Sequence, residues 1–178
     1  KNINEVLKTL SLEQSIRYFK EAYSINESED EIKKEIIEMI ENQYRYKVPL
    51  KPFVAPFLNK LYEKRVRMCI ATATDYKLAM AALERLGISK YFEFILTCYE
   101  AGVGKDNPQF FLKALEMLNT SKYETIVFED SLHAIKSAKS AGFFVAAMYD
   151  KSSDEDKEVI KSTADIYLNS FEGFVKLI

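Results

Sequence analysis

The chain has 178 residues, 48% of them apolar and 29% charged, with a formal net charge of −2. That suffices for one domain, or one core with a small appendage. The charge balance excludes the basic excess of a nucleic-acid binder and the acidic tail that seeks a basic partner. No apolar run approaches the ~20 residues that span a membrane, and Lys1-Asn2-Ile3-Asn4 has neither a signal peptide's apolar stretch nor an initiator Met. A chain that begins on Lys is expected to be processed, trimmed or truncated. Cys69 and Cys98 have no metal-type spacing. Cys69 lies inside an apolar run and reads as a small buried hydrophobe, which suits a reducing cytoplasm.

Residues 1–48 read as all helix. Leu12, Ile16, Phe19 and Tyr23 recur at helical spacing, with Ser11 as the N-cap. Ser28 caps the next helix, Glu31 completes a capping box, and Ile32, Ile36, Ile37 and Ile40 form the apolar stripe. Pro49, Pro52 and Pro56 mark a boundary, with a hinge at 46–52 and a helix through Phe57, Leu58 and Leu61. From Val66 the texture alternates. Strand-like runs fall at 66–71, 93–97, 125–128, 143–148 and 165–168. Helical patterns fall at 75–86, 108–118, 131–141, 154–162 and 170–177. Gly87 and Gly142 sit just past helix ends. Strands alternating with helices predict βαβ units and a parallel sheet. The division is a helical segment at 1–48 and an α/β core at 49–178.

Three polar sites stand where a strand or its loop gives way to a helix. The run Thr125-Ile126-Val127-Phe128 ends in Glu129-Asp130. Such a pair either caps the following helix or holds a hard cation. Mg²⁺ takes one or two carboxylates plus water and phosphate, and Glu129 is a second ligand or orients a bound water. Thr72 ends another strand, with backbone N–H groups from Ala73 to Asp75 opening onto the next helix. That is an anion site or a simple N-cap, and both can hold at once. Lys105 lies in Gly104-Lys105-Asp106-Asn107-Pro108, either as an exposed loop lysine or as the neutraliser of a phosphate. It is not in a P-loop, because Asp106 follows where Ser or Thr is required. His133, the only histidine, reads as structural or exposed, so no nucleophile–histidine triad is defensible. A hydroxyl, a lysine and an acid pair can converge on one phosphate and one Mg²⁺. No apolar strand ends in the acid that would attack that phosphate.

In this order the sites resemble the haloacid dehalogenase superfamily, in the branch with a helical cap. Cys69-Ile70-Ala71-Thr72-Ala73-Thr74 resembles the motif whose hydroxyl holds the transferring phosphoryl group. Lys105 with Pro108 and Phe111 resembles the lysine motif, and Phe128-Glu129-Asp130-Ser131 the metal-binding acids. Asp106 stands where proline is frequent, Phe53 where glycine usually follows Pro52, and Ala134 where glycine is usual. Thr9-Leu10-Ser11-Leu12-Glu13 resembles the sugar-phosphate mutase branch, but Leu12 replaces the arginine that β-phosphoglucomutases use for the distal phosphate.

The resemblance implies a Rossmann-like three-layer α/β fold with a helical cap, and a Mg²⁺-dependent phosphatase of a small phosphorylated metabolite working through an aspartyl-phosphate. Thr72 and Lys105 would be catalytic, Thr72, Ala73 and Lys105 phosphate-binding, and Asp130 with Glu129 metal-binding. The family's first motif, a strand ending D-x-D-G, is missing. The only D-x-D, Asp154-Glu155-Asp156, reads as the acidic start of a helix. The chain is therefore expected to be inactive alone. In the family that strand is central, so the runs at 66–71 and 125–128 must pair directly or leave a ~4.8 Å slot for another strand. Exposed edges there favour strand borrowing between copies. The alternatives are a non-catalytic fragment or degenerate homologue with a binding role, or a sugar-phosphate mutase. Dehalogenation fits less well with the acid pair.

Overall fold

The computed structural model describes residues 12–177. Ser11, expected to cap the first helix, lies outside them, as do Thr9 and Leu10. The chain divides into two compact units, Lys1–Val48 and Pro49–Ile178.

The first unit holds α1 (Leu12–Tyr23) and α2 (Glu29–Asn42), the latter running into a π-helical turn at Gln43–Lys47. The Ser28 capping box is present in both directions: the Glu31 N–H donates to Ser28 Oγ at 3.2 Å, and the Ser28 N–H to the Glu31 carboxylate at 2.9 Å. Lys33 ties α2 to α1 through Glu13 at 2.8 Å. Ile16 is buried, and Ile32 and Ile36 are half-buried. Ile37 and Ile40 remain 43% exposed, because two helices cover only one side of the predicted stripe. The π turn arises where the Val48 N–H reaches back to the Gln43 carbonyl at 2.9 Å, immediately before Pro49, which has no N–H to continue a helix.

The second unit runs α3 (Val54–Glu63), β1 (Ile70–Thr72), α4 (Tyr76–Arg85), β2 (Ile95–Thr97), α5 (Cys98–Ala101), α6 (Pro108–Leu118), β3 (Ile126–Glu129), α7 (Leu132–Ser140), β4 (Phe144–Met148), α8 (Lys157–Thr163), β5 (Ile166–Leu168) and α9 (Glu172–Leu177). Short 3₁₀ turns occupy Ser89–Tyr91, Lys122–Glu124 and Lys151–Asp156. The last of these takes the first residues of the helix expected at 154–162. α6 starts on Pro108 behind the Asn107 N-cap, whose side chain accepts the Gln109 N–H at 3.0 Å. Phe53 introduces α3 at φ +64°, in the left-handed region where glycine is at ease. The strand expected from Val66 forms a ladder only from Ile70. Before it, Arg65 turns at φ +58° and the Val66 N–H bonds back to Leu61.

All strand pairing is parallel, and it falls into two ladders. β1 pairs with β2, Ile70 opposite Ile95. β3 pairs with β4, Ile126 opposite Phe144, and β4 with β5, Ala146 opposite Ile166. Among the described residues nothing joins β1 to β3. Yet both ladders lie between the same two apolar clusters. Leu96, Val145 and Ala147 share one with Phe110, Phe111 and Ile135, and Ala71 and Val127 pack against it. Phe57, Leu58 and Ile88 form the other, against which Met68 and Phe128 pack. Successive residues Val127 and Phe128 serve opposite faces, as the pleat requires. Phe57, Phe128, Phe171 and Phe174 form an aromatic knot on the second face, with ring centroids 4.8–5.9 Å apart. The result is a three-layer α/β/α core.

Burial is reversed from the usual gradient. A parallel strand between two helical layers is normally buried throughout. β2 is buried throughout and β4 from Val145 onward, while β1 is only half-buried and Ile126 of β3 is 45% exposed. β1 and β3 each keep an unpaired edge.

Asp165 pins the start of β4. It receives the Val145 N–H at 2.7 Å and Lys139 Nζ at 2.6 and 2.7 Å. Burial alone would raise its pKa, but these bonds and the Lys139 charge hold the carboxyl below its usual value. A depressed carboxylate stabilises the fold above its unfolded pKa and stops doing so as pH falls through the folded one. Asp165→Asn should cost about 1–2 kcal/mol at neutral pH in urea unfolding. The gap to the wild type should close as pH falls below about 4.

Candidate active site

Because every strand is parallel, the C-terminal ends of β1 and β3 carry Thr72 and Glu129-Asp130 at the corresponding end of each ladder, where α/β folds place ligands. The structure brings Lys105 and Glu129 into a direct ion pair, with Glu129 buried and Lys105 largely so. Lys105 gets there through a folded loop. α5 ends at Gly102 (φ +69°), and Lys113 on α6 donates to the Ala101 carbonyl at 2.5 Å. The Asp106 carboxylate folds over Gly104, where an added Cβ would stand 2.5 Å from Oδ1.

Glu129 is fully engaged. One oxygen meets Lys105, while the other receives the Asp130 N–H at 3.0 Å and the Ser131 N–H and hydroxyl at 3.4 Å. The acid pair thus divides its labour: Glu129 turns inward and braces the turn, and Asp130 remains the open carboxylate, 42% exposed. Burial first, then the Glu129 charge, push the Asp130 carboxyl above its usual value, against the pull of Lys51 and Lys105. Lys51, Lys105, Phe128, Glu129, Asp130, Met148 and Phe171 line a cavity of about 230 Å³. A larger one, about 640 Å³, lies at the other ends of β1 and β2 around Tyr62, Arg67 and Tyr91, away from every acid of this group.

Thr72 and Ala73 do not line the small cavity, and among the described residues no hydrogen bond or ion pair joins Thr72 to Lys105, Glu129 or Asp130. Thr72 Oγ1 accepts the Thr74 N–H at 3.0 Å, while Asp75 caps α4 by accepting the Lys77 N–H at 2.8 Å. The N-cap reading of this turn is realised, and the Thr72 hydroxyl proton remains available for donation. His133 is exposed.

Two residues of the site escaped the sequence reading. Lys51 pairs with Asp150, donates to the Tyr149 carbonyl at 3.1 Å and stands 4.0 Å from Asp130 Oδ2. Hydrogen bonds from Lys51 and from the Ser152 hydroxyl and N–H hold Asp150 down to about 2. Asp150 carried a signal of its own, since it lies two residues past the apolar strand β4 much as Asp130 follows β3.

No cluster of three or more His, Cys, Asp or Glu side chains suited to a metal occurs among the described residues; the exposed Asp130 carboxylate is a hard oxygen donor. A lone hard carboxylate is the kind of donor that Mg²⁺ takes one or two of, with water and phosphate completing its shell.

The family model for haloacid dehalogenase-like hydrolases matches residues 2–148. The chain belongs to this family. Among curated relatives, a phosphorylated carbohydrates phosphatase of Thermotoga maritima is 33% identical over 122 residues, 68% of this chain and 56% of that protein. The pyrophosphatase PpaX of Listeria monocytogenes is 28% identical over 91 residues, 51% of this chain and 42% of that protein. Among solved structures, a Thermotoga maritima protein provisionally described as a beta-phosphoglucomutase superposes with a TM-score of 0.84 at 25% identity, over 99% of this chain and 82% of that one. CbbY from Rhodobacter sphaeroides, in complex with phosphate, gives 0.75 at 20% identity, over 94% and 76%. The chain spans about half the length of the curated relatives it matches. Among the described residues of this haloacid dehalogenase-like chain, no helix is long and apolar enough to cross a membrane.

Removing Lys105 isolates a buried carboxylate. Lys105→Met should destabilise the protein by about 3 kcal/mol, and adding Glu129→Gln should recover much of that loss. Chemical denaturation of the two variants checks this, and a Lys105→Met protein as stable as the wild type would mean that Glu129 has another counter-charge.

Proposed function

We propose that this chain is the larger part of a Mg²⁺-dependent phosphatase of a small phosphorylated metabolite, with residues 1–48 as a cap that selects the substrate. The observation that carries the reading is the Lys105–Glu129 pair beside the open carboxylate of Asp130, at the C-terminal end of a parallel strand. Family membership and relatives named as phosphatases support it.

In this reading Lys105 lends positive charge to the phosphoryl oxygens, and Thr72 and the Ala73 amide donate hydrogen bonds to them. Asp130 holds Mg²⁺, which when bound supplies charge to the transferring group. Glu129 keeps Lys105 and the Asp130 backbone in place. The nucleophile is an aspartate on a further parallel strand lying between β1 and β3, which would accept the phosphoryl group and then lose it to water. The unpaired edges and low burial of β1 and β3 favour such a strand. In this reading it comes from sequence upstream of Lys1; strand borrowing between copies would fill the slot but bring no such aspartate, since no strand among the described residues ends in one. The mutase reading has likeness to a beta-phosphoglucomutase structure in its favour and Leu12 against it.

The test is hydrolysis of an aryl phosphate, with and without Mg²⁺, by this chain and by a version extended upstream. Turnover is expected only in the extended form with Mg²⁺. In that form Thr72→Val should lower kcat by about a hundredfold, and Asp130→Asn should abolish the Mg²⁺ dependence. Mg²⁺-dependent turnover by this chain alone would show that another acid attacks. No turnover of any phosphoester by either form would favour a binding role.

A further inference from the structure

Lys51 is the one lysine of the site that neither family motif nor local pattern explains. It lies between Pro49 and Pro52, in the segment that leads into α3. Pro52 and the left-handed Phe53 fix the backbone just after it. Its ammonium group makes its two close contacts beyond β4, with Asp150 and with the Tyr149 carbonyl at 3.1 Å. The third group it faces is Asp130 beyond β3, at 4.0 Å. The strands beneath are register partners, Glu129 opposite Ala147, so one cation bridges the loops of two adjacent strands. Lys51 is 41% exposed and lines the same cavity as Lys105 and Asp130.

These contacts are unequal. Asp150 and the Tyr149 carbonyl anchor the ammonium, while Asp130 feels it only at ion-pair distance. A lysine so placed partly neutralises Asp130 without occupying it. A divalent cation arriving at Asp130 meets that positive charge, and the lysine has a second carboxylate to retire to.

We propose that Lys51 is a positioning residue that acts as the built-in counter-ion of Asp130 and competes with a divalent cation for it, Asp150 serving as its anchor. The proposal rests on the reading of Asp130 as the metal-holding carboxylate. It deepens that reading by making the affinity of the site a property of Lys51. Asp150 acts through the lysine and does not touch the metal.

The test is Mn²⁺ binding to this chain, followed by the electron paramagnetic resonance signal of free Mn²⁺, so that no turnover is needed. Lys51→Gln should tighten binding by about three- to tenfold, since a positive charge near a +2 ion is removed. Lys51→Arg, which keeps the charge, should stay near the wild type. Asp150→Asn should weaken binding by releasing Lys51 toward Asp130, and this effect should vanish in the Lys51→Gln background, where no lysine is left to release. Asp130→Asn should abolish the tight site. If Asp130→Asn abolishes binding but Lys51→Gln stays within twofold of the wild type, the counter-ion role is wrong and the metal reading stands. If Asp150→Asn weakens binding equally with and without Lys51, Asp150 is itself a ligand and the proposal fails. If no Mn²⁺ site depends on Asp130, both readings fall.

Discussion

The buried carboxylate of Glu129 governs the architecture of this site. A charge taken out of water at the end of a strand needs a cation and hydrogen bonds, or it destabilises the fold. Lys105 is the cation, and the Asp130 and Ser131 amides provide the bonds. Meeting that demand fixes two otherwise independent pieces of chain. The loop between α5 and α6 must fold inward to deliver Lys105, and in that fold the Asp106 carboxylate lies over Gly104. The turn after β3 must curl around Glu129, which leaves the next carboxylate, Asp130, facing outward. The inward acid thereby makes the outward one available.

The second constraint is the divided sheet. Two ladders share both apolar faces but not a hydrogen-bonded seam. Side-chain packing can hold them in one layer, because Ala71 and Val127 meet the same cluster, as do Met68 and Phe128. It cannot satisfy the N–H and C=O groups along the unpaired edges of β1 and β3. The half-exposure of β1 is the physical trace of that deficit. Lys105, in the loop after β2, crosses from the first ladder to pair with Glu129 at the end of β3, while the Thr72 hydroxyl of the same ladder bonds, among the described residues, only within its own turn.

Much of the fold was legible because its signals are local. Pro108 behind Asn107 marks the start of α6, Gly87 and Gly142 close their helices at φ +68° and +83°, and Ser28 with Glu31 forms the predicted capping box. Phe53 stands where glycine is habitual, and its φ of +64° gives the reason. Thr97 and Glu100 form the same kind of capping box, yet α5 went unread because it is a single turn inside an apolar run. The order of βα units pointed to Thr72, Lys105 and the acid pair converging, but not to the direct Lys105–Glu129 pair, and the Thr72 side chain bonds to neither. Lys51 and Asp150 are 99 positions apart, and nothing in either neighbourhood announces the other. Only the register of β3 on β4 brings the residues beyond them to one cation. Pairings of that kind belong to topology, and a pattern read along the chain does not contain them.

The charges gathered at the site decide what it can bind. Three carboxylates, Glu129, Asp130 and Asp150, face two lysines. Glu129 is committed to Lys105, and Asp150 to Lys51, as its carboxyl held near 2 attests. Asp130 is the remainder, half-exposed and disfavoured as an anion by its burial and by Glu129 beside it. Such a group favours any arrangement that brings positive charge to it, which is the condition for holding a hard divalent cation. Once that charge is added the balance of the cavity turns positive, and Lys105 lies within the same walls. An anion is then the ligand that restores neutrality. In the proposed reading, cation first and phosphate second is thus the order that the charges of these five side chains favour.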